Sequence, residues 1–215
     1  MDQPDLILHH FPGACSQVSV CALEMAGLAY ELRLVNLAKG EQSDASYLRV
    51  SPLGKVPLLL IDGEPLSENS AILTYIAALR PEAGLFPADP SPRSRAEAIG
   101  GMSFCGGTLH PLIRGIANPM RLTDGDVEPV RAKATALARK SFAYAEQRLA
   151  DNGCWLGQWS IVDVYLNWAF TVARNAGFDI AAFPLLAGHG EKMIHLPAFR
   201  RMQEVDAEAR TELGL

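Results

Sequence analysis

The chain has 215 residues, 49% of them apolar, which is enough for one or two buried cores. Its formal charge of −5 gives a nucleic-acid role no electrostatic support. The acidity is uneven: residues 1–85 hold 5 Lys/Arg and 10 Asp/Glu, residues 86–215 hold 14 of each, which suggests two units.

Asp2 and Asp5 interrupt the N-terminus where a secretory signal would need a basic stretch and an apolar run. No apolar stretch approaches the roughly 20 residues of a membrane helix. Cys15, Cys21, Cys105 and Cys154 form no C-x-x-C pair, so zinc spacing is absent and no metal is expected. A reducing cytoplasm is the expected compartment.

Leu6, Ile7 and Leu8 read as a short strand, broken by Phe11-Pro12-Gly13. From Ser16, Val18, Cys21, Ala22 and Met25 fall at helical spacing, and Gly27 ends the helix. Tyr30, Leu32 and Leu34 alternate with Glu31 and Arg33 as a half-buried strand does. Lys39 to Ser51 is loop-like, with one helical turn near Tyr47 and Leu48. Val56 to Ile61 reads as a buried strand, Asp62-Gly63 as a two-residue hairpin, and Pro65-Leu66 as the edge strand that follows. A helix from Asn69 shows Ala71, Ile72, Tyr75, Ile76 and Leu79 on one face. The resulting order, βαβ-ββα, is that of an α/β thioredoxin-like domain.

Residues 81–92, with four prolines, read as the linker. All that follows is helical: Val130, Ala134, Leu137, Ala138, Ser141, Ala145 and Leu149 share a stripe, as do Tyr165, Trp168, Ala169, Val172, Ala173 and Ala176, and a last helix starts near Pro197. The expected division is 1–82 for the thioredoxin-like domain, 83–92 for the linker and 93–215 for an all-α domain.

Three segments of the first domain can carry chemistry. Cys15 stands at a helix start, where unpartnered N–H groups stabilise a thiolate and cysteine pKa values fall to roughly 3.5–7.5. Val18 takes the place of a resolving thiol, so an internal disulfide is excluded and a mixed disulfide with an external thiol is not. The plainer alternative is a small apolar residue under the sheet. Ser16 is a rival hydrogen-bond donor to a bound thiolate, or an ordinary cap. Lys55-Val56-Pro57 fits either a cis Val56–Pro57 bond that turns the Val56 backbone toward an extended peptide, or a plain edge strand. Glu68 and Asn69, between a strand and a helix, suit a ligand with both an ammonium and a carboxylate, or simple capping. In the second domain, Ser160 and Asp163 read as a capping box, a folding signal.

The ordered series PGACS, GKVPLLL, the Asp62-Gly63 hairpin, SENSAI, the proline linker and SIVD resembles the cytosolic glutathione transferases across the chain. Phe11 to Ser16 resembles the bacterial beta class, with cysteine where tyrosine or serine is usual. The resemblance implies a transferase that activates the glutathione thiol for conjugation to a hydrophobic electrophile, as in detoxification. Glutathione is then co-substrate and no cofactor is needed. The alternatives are a thiol-disulfide oxidoreductase acting through Cys15, or a non-catalytic binding protein on the same fold. Carried residue by residue, Cys15 and Ser16 form the catalytic start of the helix, and Val56 before Pro57 is the backbone clamp on the cysteinyl part. Glu68 and Asn69 hold the γ-glutamyl end, although the family usually has serine or glycine at the second position. Lys39 faces the glycyl carboxylate, and Ser103 and His110 border the site. Phe11, Met102, Phe104 and His110 line the second-substrate pocket, and the protein is a homodimer. Gly100, Gly101, Gly106 and Gly107, crowded on one helix, are not accounted for by the resemblance.

Overall fold

The computed structural model describes residues 3–89 and 91–215; Asp2 and the linker residue Pro90 lie outside the described residues. The chain divides into two compact units, one running up to Leu85 together with Ile194–Leu215, the other Phe86–Met193.

The first unit is built on a four-stranded sheet of β1 (Leu6–His10), β2 (Glu31–Leu34), β3 (Leu58–Ile61) and β4 (Glu64–Ser67) in the order β2-β1-β3-β4. β1 pairs parallel with β2 and antiparallel with β3, and β4 adds antiparallel at the edge. The parallel pair requires a crossover, supplied by α1 (Ser16–Met25). Asp62 and Gly63 both have positive φ, 50° and 87°, the conformation that a tight hairpin of this type demands. β3 starts at Leu58, two residues later than expected, because Val56-Pro57 stays outside the ladder. α2 (Ala45–Leu48) is the single turn expected before it, and α3 (Asn69–Leu79) follows β4.

Side-chain alternation divides the central strand between two cores. Ile7 joins Val35, Tyr47, Val56, Leu58 and Leu60 on one face. Leu6, Leu8 and His10 take the other, and the His10 ring meets Ser16 at the head of α1. α9 (Pro197–Leu213) belongs here as well, which differs from the division at residue 93. Its buried stripe of Phe199, Met202, Val205 and Ala209 packs on α1, so the last helix covers the thioredoxin-like sheet's helix layer.

The second unit is helical: α4 (Pro92–Ser103), α5 (His110–Ala117), α6 (Glu128–Asn152), α7 (Ile161–Asn175) and α8 (Pro184–Met193). Phe142 of α6 anchors an aromatic core with Phe170, Phe178 and Phe183, with ring centroids 5.2–6.1 Å apart. The α6 stripe is Ala134, Ala138, Phe142, Ala145 and Leu149, so the expected Leu137 and Ser141 lie off it.

α4 runs into α5 through a π-helical segment, Phe104–Leu109, which holds two of the four crowded glycines. Gly101 has a packing reason: a Cβ there would come within 2.5 Å of Trp155 Nε1 and 2.8 Å of Val162 Cγ1. Trp155 cannot retreat, because Phe104 stacks on it at 4.8 Å and the Arg148 guanidinium lies 5.0 Å over its ring. Gly101→Ala is therefore expected to destabilise the second unit by about 1–3 kcal/mol despite alanine's better helix propensity. Denaturant melts check this; a stabilised variant would show that the ring yields. Gly100 and Gly107 have open space around them and nothing in the structure accounts for them.

Candidate active site

The turn after β1 folds back on itself, with the Ala14 N–H donating to the Phe11 carbonyl at 3.1 Å. Gly13 makes the turn with φ of +81°, where a side chain would also strike Arg210 Nη2 at 2.8 Å. This delivers Cys15 to the head of α1, with φ −61° and ψ −13°. Its side chain is nearly covered, at 6% exposure, and its thiol donates to the Val56 carbonyl at 3.7 Å. The Val56–Pro57 bond is cis.

The third segment joins from the other side. Asn69 at the start of α3 donates through Nδ2 to the Cys15 carbonyl at 2.8 Å. Its Oδ1 accepts from the Ser19 hydroxyl at 2.6 Å. Glu68, just before it, is exposed and holds φ of +72°, a backbone strain of the kind that concentrates at ligand sites. Two distant segments thus meet at Cys15: the Val56 carbonyl takes its thiol and Asn69, 54 residues on, takes its backbone carbonyl.

Two residues sit differently from their expected roles. The Asn69 side chain is buried and both ends of its amide are engaged, so it braces Cys15 and does not face a ligand. Ser16 is fully buried, its hydroxyl 2.8 Å from His10 Nδ1. Lys39 and Lys55 are exposed. The Lys55 carbonyl is held by the Tyr47 hydroxyl at 2.7 Å, which fixes the chain just before Val56. Phe11 packs against the core cluster around Val56.

In the second unit, Ser103 is exposed, Phe104 is half-buried and stacked on Trp155, and half-buried His110 meets Trp168 edge-on at 4.8 Å. Met102 is 1% exposed and lines no open surface, which corrects its assignment to a pocket.

The remaining thiols are poor nucleophiles. Burial, with Glu24 nearby, pushes Cys21 up to about 12. Burial and then the Asp163 charge push up both Cys105 and Cys154. Residues that sequence reasoning missed are His10, Asp206 and Arg210. Asp206 Oδ1 accepts from the Gly13 N–H at 2.8 Å, and its Oδ2 accepts from Arg210 Nε at 3.1 Å. The alternation of β1 places His10 on the α1 face and could have flagged it; no local pattern links Asp206 to a loop 193 residues away. Among the described residues, no group of three or more His, Cys, Asp or Glu is placed to hold a metal ion, and no helix is long and apolar enough to cross a membrane.

Residues 4–78 match the family described as glutathione S-transferase, N-terminal domain. The glutathione S-transferase GST-4.5 of Xanthomonas campestris pv. campestris is 32% identical over 195 residues, covering 87% of this chain and 92% of the relative. The maleylacetoacetate isomerase of Pseudomonas aeruginosa is 31% identical over 185 residues, covering 84% and 86%. A sphingomonad glutathione S-transferase solved in complex with glutathione superposes with a TM-score of 0.82 at 30% identity, covering 94% of this chain and 98% of that one.

Proposed function

Because the chain belongs to the glutathione S-transferase family, we propose that it binds glutathione against Cys15, Val56 and Glu68 and transfers its sulfur to a hydrophobic electrophile. The observation that carries this reading is the meeting of the Cys15 thiol with the Val56 carbonyl, beside the strained and exposed Glu68. In the free protein the thiol occupies the Val56 carbonyl. A bound peptide would take that carbonyl with its own N–H and release the Cys15 sulfur toward the ligand sulfur. The start of α3 and Glu68 would receive the γ-glutamyl carboxylate and ammonium.

In the reaction, the glutathione thiol gives its proton to solvent and the thiolate attacks the electrophilic carbon. A C–S bond forms and the leaving group departs with its electron pair. A second reading is favoured by the relatives named maleylacetoacetate isomerase: glutathione adds to and leaves the substrate, and is regenerated. A homodimer in the cytoplasm is part of the proposal in either case.

Calorimetric titration with glutathione, followed by assay with an activated aryl halide, tests the reading. Binding with consumption of glutathione supports the transferase. Cis-to-trans conversion of a maleyl substrate with glutathione unconsumed supports the isomerase. Binding with neither leaves a binding module, and no binding sinks the site. Glu68→Ala is expected to weaken glutathione two- to tenfold in a fully folded protein, a modest loss because the carboxylate is exposed before the ligand covers it. Unchanged affinity would remove Glu68 from the site.

A further inference from the structure

Behind Cys15 lies a buried polar chain that the proposed chemistry does not use. His10 is fully buried on the α1 face of β1, and its Nδ1 is 2.8 Å from Ser16 Oγ. Its Nε2 has no partner at hydrogen-bond distance and faces Asp206 Oδ1 at 3.6 Å. The same Asp206 oxygen accepts from the Gly13 N–H, and Ser16 Oγ lies 3.4 Å from both the N–H and the carbonyl of Phe11. These contacts grip the 11–16 loop on both sides of Cys15: Gly13 two residues before it, Ser16 one after.

A neutral imidazole carries one N–H, and the two ring nitrogens must divide donor and acceptor roles between them. With a carboxylate facing Nε2, the proton belongs there. Nδ1 then presents its lone pair, and the Ser16 hydroxyl must donate to it, leaving its own lone pairs for the Phe11 N–H. The opposite tautomer would set the Nε2 lone pair against a carboxylate and swing the Ser16 proton to the Phe11 carbonyl. Burial pushes the Asp206 carboxyl up, but the His10 ring facing it, the Gly13 N–H and Gln17 outweigh that and hold it below the ordinary range.

We propose that Asp206 and His10 are positioning residues, which fix the direction of the Ser16 hydroxyl and so hold the Cys15 loop in its glutathione-binding geometry. The inference rests on the reading of Cys15 and Val56 as the glutathione site. It assigns α9, at the far end of the chain, a part in ligand binding and not only in covering α1. Arg210 completes the clamp from the same helix, by pairing with Asp206 and standing against Gly13.

The test combines three measurements on the full chain: the His10 tautomer from long-range ¹H–¹⁵N correlation, glutathione affinity by calorimetry, and denaturant melts. Wild type should show the Nε2–H tautomer. Asp206→Asn should move it to Nδ1–H and weaken glutathione about fivefold, the worth of a typical hydrogen bond. Ser16→Ala should weaken it similarly, and the double variant no more than the stronger single one, because both act through one hydroxyl. A merely structural tie would lower the melt and leave tautomer and affinity in place. An Nδ1–H tautomer in wild type, affinity within twofold of wild type in Asp206→Asn, or additive losses in the double variant would each overturn the inference. If Asp206→Asn folds poorly, His10→Phe is read in its place: it fills the buried space without accepting from Ser16, and it should show the same loss of affinity. Unchanged affinity in it overturns the inference equally. The tautomer is read without ligand, so the two failures are distinct. A wild type that does not bind glutathione sinks the site reading, whereas equal binding by wild type and Asp206→Asn sinks only the positioning role.

Discussion

Asp163→Ala should cost the second unit about 3–5 kcal/mol, the scale of breaking a buried charged network. Asp163 is fully buried at the head of α7, where it forms the capping box with Ser160. Its carboxylate serves four groups: Oδ2 accepts from the Ser160 N–H at 2.9 Å and from the Ser160 hydroxyl at 3.0 Å, and Oδ1 accepts from the Trp155 N–H at 2.9 Å and meets His189 Nε2 at 3.0 Å. An exposed cap is worth about 1 kcal/mol. Here truncation strands several donors where water cannot replace the lost acceptor, and each costs roughly 1–3 kcal/mol. Asp163→Asn keeps one carbonyl oxygen and should fall between wild type and alanine. Glutathione affinity per folded molecule should be unchanged, because none of the four partners belongs to the first unit's site. Denaturant melts paired with glutathione titration read both halves. A variant of wild-type stability would deny the buried cap; a stable variant that had lost glutathione would give Asp163 a place in binding.

The elements that sequence patterns capture are those whose cause is local. Asp62-Gly63 turns because two adjacent residues accept positive φ, and four of the six residues of the expected α7 stripe, Tyr165, Trp168, Ala169 and Ala173, are buried because they repeat at one helical period. α8 lies within the stretch expected to be helical but has no stripe of its own, because PLLAGHGEKM carries two glycines and little apolar periodicity; it is held by long-range contacts, such as Glu146 accepting from the Leu185 and Leu186 N–H groups at 2.7 and 2.9 Å. α9 was found, but its unit was not, since nothing in an amphipathic helix says which surface it will cover. The candidate site divides in the same way. Cys15 at a helix start and the Val56-Pro57 step are short-range signals. The inward turn of Ser16 and Asn69 is set by His10, Ser19 and the Cys15 carbonyl, and sequence alone cannot separate a hydroxyl or amide that faces a ligand from one that braces the loop beneath it.

Alkylation of the protein should show one thiol that titrates well below the ordinary value of about 8.5, and Cys15→Ala should abolish it. The argument is one of elimination as well as placement. Cys21 and Cys105 are buried and pushed up, and Cys154, though half-exposed, is pushed up as well. Cys15 alone stands at the head of a ten-residue helix, where the helix dipole favours a negative sulfur. A thiol of ordinary value is only about 1% thiolate at pH 6.5, so a depressed one should react there tens of times faster. The opposing term is the Val56 carbonyl, which accepts from the thiol but repels a thiolate, so ionisation requires the sulfur to turn from it. Bound glutathione would release the sulfur by taking the Val56 carbonyl, yet its own sulfur should cover Cys15 and protect it from alkylation. Treatment with oxidised glutathione separates the two thiol chemistries: attack by the Cys15 thiolate would form a mixed disulfide and release one glutathione thiolate, and with Val18 in place of a resolving cysteine the adduct would persist and add one glutathionyl mass. Its turnover by added glutathione would favour an oxidoreductase, whereas conjugation without any adduct favours the transferase. A wild-type profile with no thiol titrating below about 8.5 would leave Cys15 as a packing residue beneath the sheet.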